Sequence, residues 1–360
     1  SSYASLILID AEGKIAVVEV PDPRSTDGMA ELVKLLQKES SKAAARKHAV
    51  SHDGPYIQYS GQSVVAHSIV NGNLKSQKVI DTIKVHTDIP GKTFALTLKP
   101  RLQPEPSTFA QPEKLMALSD IEGNFDAFRR LLQNNGIIDE NFNWTFGNGH
   151  LVITGDVFDR GLQVTECLWL IYSLEEKAKA AGGYVHFILG NHEVMNLQND
   201  TRYVQMKYKD NLRLLGLQYA DLFNESSELG KWLRTKNVVE KIGDVLFVHG
   251  GISPEVTRLP LKIEEINQAA RPSFDGALDS TNKQLMTLFN SKTSPFWYRG
   301  YYFEDVQYRA DIRQVDSSLQ KFGVAKIITG HTIVADSVGV YYDGKIINTD
   351  THHAKGKSEA

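Results

Sequence analysis

Leu151-Val152-Ile153-Thr154-Gly155-Asp156 is a short apolar run that stops at a glycine and a carboxylate. So brief a run, closed by a turn residue, predicts a buried strand. The glycine lets the backbone turn sharply and lets a ligand approach it closely. The pattern recurs: Met116-Ala117-Leu118 leads to Ser119-Asp120, and Phe187-Ile188-Leu189 to Gly190-Asn191-His192. Val245-Leu246-Phe247-Val248 leads to His249-Gly250-Gly251, and Ile327-Ile328 to Thr329-Gly330-His331. Each junction alone reads as turn chemistry. Five of them, alternating with helical segments such as 125–132 and 164–181, predict an α/β layered domain with candidate ligands at the carboxyl ends of its strands.

The rest of the chain bounds the function. Its 360 residues are 41% hydrophobic and 23% charged with a net charge of −3, the composition of a soluble protein with a large core. No apolar run approaches the roughly 20 residues that span a bilayer. No basic stripe of the kind that tracks a nucleic-acid backbone is present. The expected partner is therefore a small molecule or protein, with neither nucleic acid nor membrane insertion. Cys167, the single cysteine, lies in Cys167-Leu168-Trp169-Leu170-Ile171, which reads as the buried face of a helix. The chain opens Ser1-Ser2 with no basic-then-apolar leader; compartment stays open, a cytoplasmic one being favoured and N-terminal trimming allowed.

Residues 5–99 read as short strands at 6–9, 15–20, 56–59, 64–65, 79–85 and 94–98, interrupted by one helix over 27–47. Pro100, Pro104, Pro106 and Pro112 then punctuate a polar stretch expected to continue neither a ladder nor a helix. The expected organisation is a β-rich accessory domain over 1–105, a linker over 106–113 and a domain over 114–360 that folds without the first.

The blocks Gly155-Asp156-Val157-Phe158-Asp159-Arg160-Gly161, Gly190-Asn191-His192-Glu193, His249-Gly250-Gly251 and Gly330-His331-Thr332 carry a family resemblance. In this order they resemble the signature of the calcineurin-like metallophosphoesterases, in the phosphoprotein phosphatase branch, over about 114–351. Residues 190–197, 230–234 and 294–300 are most similar to the Shewanella-like phosphatases. The resemblance implies a layered β-sandwich flanked by helices, holding two divalent metal ions bridged by Asp156. It implies hydrolysis of phosphomonoesters, phosphorylated protein side chains among them, by in-line attack of a metal-bridging hydroxide. Asp120 and Asp156 would hold the first ion, and Asn191, His249 and His331, again with Asp156, the second. His192 would protonate the leaving oxygen with Asp159 orienting its ring, while Arg160 and Arg299 would clamp phosphate. For Arg299 the alternative is a surface cation stacked on Trp297 or Tyr298. Glu193 is assigned to support of the loop.

One position departs from the family: where its first block has Asp-x-His-Gly, this chain has Asp120-Ile121-Glu122-Gly123. Residues two apart at a strand end face the same side, so Glu122 is expected to join Asp120 at the first ion. Carboxylate in place of imidazole favours manganese, or magnesium, over iron or zinc. The alternative is that Glu122 turns away. Two further functions stay open: hydrolysis of a nucleotide or dinucleotide polyphosphate, and a binding protein with a degenerate site. His186 is expected in the core, and His352 and His353 at the border of the site.

Overall fold

A computed structural model describes residues 3–9, 15–21, 50–61, 63–87, 89–276, 278–335 and 337–351, with single positions at 30, 33, 34 and 47. The helix expected over 27–47 falls largely outside the described residues, as do His352 and His353. The first strands are β1 (Tyr3–Ile9), β2 (Ile15–Pro21), β3 (Asp53–Ser60), β4 (Ser63–Val70), β5 (Asn73–Lys78), β6 (Ile83–His86) and β7 (Thr93–Leu96). They pair antiparallel as β1-β2, β3-β4-β5 and β6-β7. Strand β5 went unread because its residues, Asn-Leu-Lys-Ser-Gln-Lys, are exposed throughout and carry no alternation.

Next come β8 (Thr108–Phe109), β9 (Leu115–Leu118), β10 (His150–Ile153), β11 (Tyr184–Phe187), β12 (Val239–Ile242), β13 (Val245–Val248), β14 (Lys326–Thr329), β15 (Gly339–Tyr341) and β16 (Ile346–Asn348). One sheet is β11-β10-β9, wholly parallel; the other is β15-β16-β14-β13-β12-β8, mixed. Alternate side chains explain why the strand runs look continuously apolar. Val152, Phe247 and Ile328 meet Ile188 and Ile242 in one cluster, while their neighbours Leu151, Ile153, Leu246, Val248 and Ile327 enter a second, larger one. Burial on both faces removes the polar residues that would mark a half-exposed strand. The structure is the layered α/β sandwich expected.

Helix α1 (Phe125–Asn134) follows β9, and α2 (Val164–Ala180) follows β10. In α2, Cys167, Leu168, Trp169, Leu170 and Ile171 are all fully buried. Five consecutive buried residues span the whole helix circumference, so α2 needs cover on its outer side as well. Residues 53–96 supply it. Tyr56, Ile57, Ile83, Val85, Phe94 and Leu96 belong to the same cluster as α2, the Trp169 indole N–H donates to the Pro55 carbonyl at 2.8 Å, and Thr165 Oγ1 lies 2.6 Å from Asp53 Oδ1. The proline-rich stretch is built in too, which corrects the expectation that it continues no ladder: Thr108–Phe109 pairs in parallel with Lys241–Ile242. Glu105 meets the buried Lys236 ammonium at 3.1 Å.

How the chain divides is therefore a proposal with a new expected result. Each large apolar side chain lost from a core removes about 1.5–3 kcal/mol, and a domain's whole stability is about 5–15 kcal/mol. Deleting residues 1–105 strips six such residues from around α2. The product should be molten or insoluble, as judged by near-UV circular dichroism and solubility. A truncated chain that unfolds cooperatively with native-like spectra would restore the separable domain.

Candidate active site

The ligand-bearing turns converge on one end of the sandwich. Asp120 (φ 54°), Glu122 (50°), Asp156 (55°), Asp159 (69°), Arg160 (55°) and His331 (70°) all adopt left-handed backbone. For residues other than glycine this costs on the order of 1 kcal/mol each and needs fixed surroundings. Glu193 fixes the Asp156 turn: one carboxylate oxygen accepts from the N–H groups of Asp156 (2.8 Å) and Gly190 (2.7 Å), the other from Val157 (2.8 Å). Loop support is thus what Glu193 does. A side chain at Gly190 would place its Cβ 2.3 Å from Asp156 Oδ1, and one at Gly330 would meet Asp120 Oδ2 at 2.4 Å.

Helix α3 (Asn191–Leu197) begins at the Gly190 turn and carries Asn191 and His192. His249 holds one tautomer through Nδ1, 2.6 Å from the Thr154 carbonyl. Its Nε2 then lies 3.1 Å from Asp156 Oδ2 and 3.0 Å from Asn191 Oδ1. The donor atoms of Asp156, His249 and His331 lie within 4.8 Å of one another. Among the described residues nothing hydrogen-bonds the buried His331 Nε2, while the His331 N–H donates to Asp120 Oδ2 at 3.0 Å.

Electrostatics mark this as a place for cations. Burial raises the Asp120 carboxyl to about 6 against the pull of His249, with Asp156 adding to the rise. Burial also opposes the charge on Asp156, but His249 and His192 overcome it and hold the carboxyl far below its ordinary range. Burial works against the His249 cation, yet Asp156 lifts it to about 10. His331 is held well below its ordinary value by burial and by His249. Carboxylates forced this close are relieved by a bound cation.

His192 Nδ1 lies 2.6 Å from Asp159 Oδ2, which also accepts from Asn196 Nδ2 at 3.0 Å. Burial disfavours the His192 cation, but Asp156 and Asp159 raise its pKa on balance. Arg299 is seated against the turn it serves, Nη1 donating to the His331 carbonyl (2.8 Å) and to Thr332 Oγ1 (3.0 Å). Arg160 forms an ion pair with Glu122 and lies over the Tyr203 ring, 5.6 Å from its centroid.

Of the ten residues singled out in the sequence, eight line a cavity of about 580 Å³, and His249 and Asp159 stand behind its wall. Sequence reasoning missed four that share it: Tyr203, Ile333, Asp350 and Thr351. Asp350, pushed up to about 9 by burial and by Asp120, follows a strand-like run as the other candidate residues do. A larger cavity, about 890 Å³, lies by Lys241 and Arg271. Its carboxylates Glu105, Glu264 and Glu265 are taken up by Lys236, Gln268 and the Lys262 N–H, so the smaller cavity is the candidate site.

A model of the calcineurin-like phosphoesterases matches residues 113–335. The chain belongs to this family. It is 27% identical over 291 residues to Shewanella-like protein phosphatase 2 of Arabidopsis thaliana, covering 69% of this chain and 73% of that one. The crystal structure of a cold-active protein-tyrosine phosphatase of a psychrophilic Shewanella species superposes with a TM-score of 0.78 at 37% identity, covering 85% of this chain and 92% of that one. A symmetrical bis(5'-nucleosyl)-tetraphosphatase of Methylococcus capsulatus is 31% identical, but over only 39% of this chain and 44% of its own. This calcineurin-like phosphoesterase is a metal-dependent phosphatase, a hydrolase of phosphoric esters. The family implies divalent cations, and the residues fit them: Asp156, His249 and the unpartnered His331 Nε2 form a compact O/N donor set. Among the described residues no helix is long and apolar enough to cross a membrane.

Proposed function

We propose that the enzyme hydrolyses phosphomonoesters of protein side chains, with phosphotyrosine preferred, using two divalent ions of which manganese suits the site best. Asp120 and Asp156 hold one ion, and Glu122 serves the same side once phosphate draws Arg160 away. Asn191, His249 and His331, with Asp156, hold the other. Bound cations supply charge neutralisation of the phosphoryl oxygens and a water made acidic enough to attack at neutral pH. Arg160 and Arg299 bind and orient the phosphate. His192, its Nδ1 on Asp159, presents Nε2 to the cavity and donates the proton that the leaving oxygen needs.

The observation that carries the substrate class is the aromatic wall. Tyr203 is 44% exposed, packs 5.2 Å from the His192 ring and lies beneath Arg160, with Trp297 and Ile333 also on the cavity. A phosphorylated ring has a flat surface to rest on beside the arginines, where a phosphorylated hydroxyalkyl chain has little to bury. A dinucleotide polyphosphate brings several more negative charges, yet the cavity offers two arginines, of which Arg160 is already paired with Glu122 and Arg299 is engaged by His331 and Thr332. The Shewanella enzyme is a protein-tyrosine phosphatase, which agrees with this reading. With manganese present, kcat/KM should be highest for phosphotyrosine peptides among phosphotyrosine, phosphoserine and phosphothreonine peptides and a dinucleotide tetraphosphate. A dinucleotide turned over as fast would sink the proposal.

A further inference from the structure

We propose that Asp350 is a metal ligand of the active site, on the Asp120 side; the inference rests on the metal-dependent reading of that site. Strands β14 and β16 run in parallel with Thr329 opposite Asn348. Equal steps beyond that pair therefore leave the sheet side by side: Gly330-His331 from one strand and Thr349-Asp350 from the other. Asp350 occupies on its strand the place His331 occupies on its neighbour, and both line the same cavity.

The backbone around Asp350 is fixed without its carboxylate. Asn348 joins the two turns, its Nδ2 donating to the Thr332 carbonyl (2.6 Å) and its Oδ1 accepting from the Asp350 N–H (3.0 Å). Thr349 Oγ1 lies 2.9 Å from the Thr329 carbonyl and 3.0 Å from Ser119 Oγ, which ties this turn to the residue before Asp120. Asp350 itself is 4% exposed, and among the described residues no hydrogen bond or ion pair takes up its carboxylate. Arg299 is the nearby cation, but its Nη1 is engaged by His331 and Thr332.

A buried carboxylate without a partner is costly unless a cation meets it. His331 Nε2 is a second, independent sign, a buried nitrogen on the same cavity that also has no partner. The two donors fit two ions on one cavity: His331 faces the Asp156–His249 group, and Asp350 the Asp120 side. Glu122 lies drawn to Arg160, so until phosphate frees it Asp350 is the carboxylate that joins Asp120 on that side. Oxygen ligands from Asp120, Asp156 and Asp350 give a hard-ion site.

Calorimetric titration of the metal-free full chain with manganese tests this, using wild type, Asp350→Ala and Asp350→Asn. Wild type should take up manganese in two steps, with one step at least ~10-fold weaker in Asp350→Ala. Without metal, Asp350→Ala should melt no lower than wild type, because among the described residues no hydrogen bond or ion pair to the lost carboxyl is broken. Should it melt far lower, Asp350→Asn, which keeps the shape, decides by the same affinity criterion. Unchanged manganese affinity would overturn the inference and leave the phosphatase reading standing. So would a raised KM at unchanged affinity, which would mean that Asp350 acts through Arg299. Wild type that binds no divalent ion would instead sink the metal-dependent reading itself.

Discussion

Replacing Asp156 by Asn should lower turnover by about 10³-fold or more while leaving the fold in place. Asp156 is buried at the centre of the site, where its two oxygens have different partners. Oδ1 accepts the His192 N–H at 2.9 Å, and Oδ2 lies 3.1 Å from His249 Nε2. Asn keeps the shape and an acceptor for the His192 N–H, so the turn and α3 should survive. What it removes is the charge. Asp156 is the carboxylate that His249 and His192 keep ionised in spite of burial, whereas burial drives its neighbour Asp120 toward protonation. Metal content and turnover of the variant, each with and without chelator, give the check. Activity near the native level in Asp156→Asn, or native activity that persists in chelator, would remove the metal-dependent mechanism proposed for these residues.

Most of these strand ends were legible because they combine two signals that rarely coincide by chance: a buried apolar run, and a glycine just where a polar residue must turn into a cavity. That is why Asp156, Asn191, His249 and His331 stood out in the sequence, with Asp120 read from its apolar run and the block that follows it. Asp350 escaped because its turn, Asn348-Thr349-Asp350, has no glycine; the side-chain amide of Asn348 does the holding instead. The partner of Glu122 escaped for another reason. Glu122 and Arg160 lie in successive loops, and their ion pair depends on both residues adopting positive φ, which no local pattern announces. Cys167 to Ile171 looked like one apolar face, but five buried residues in succession require a second layer, and residues 53–96 are that layer. Prolines, read as marks of a free linker, instead flank the edge strand Thr108–Phe109, where a missing N–H is tolerated.

Replacing His192 by Ala should lower turnover by about 10²–10⁴-fold, or roughly 3–5.5 kcal/mol of barrier, with manganese content unchanged. The two halves of that statement come from different atoms. Its backbone N–H, which holds Asp156 Oδ1, is kept in the variant, so the metal ligands should stay where they are. The lost imidazole has Nδ1 committed to Asp159 Oδ2 at 2.6 Å, and its Nε2 stands 3.9 Å from Asp156 Oδ2 on the cavity side. A donor in that position matters in proportion to how badly the leaving oxygen needs a proton. The defect should therefore be largest for an alkyl phosphomonoester such as phosphoserine, smaller for phosphotyrosine, and smallest for p-nitrophenyl phosphate, whose leaving group departs as a stable anion. Asp159→Asn should follow the same order with a smaller loss, about 10–100-fold, because it disturbs the orientation of the ring and not its presence. An equal loss for all three substrates would show that His192 binds phosphate and donates no proton. Loss of manganese from His192→Ala would place the imidazole among the ligands.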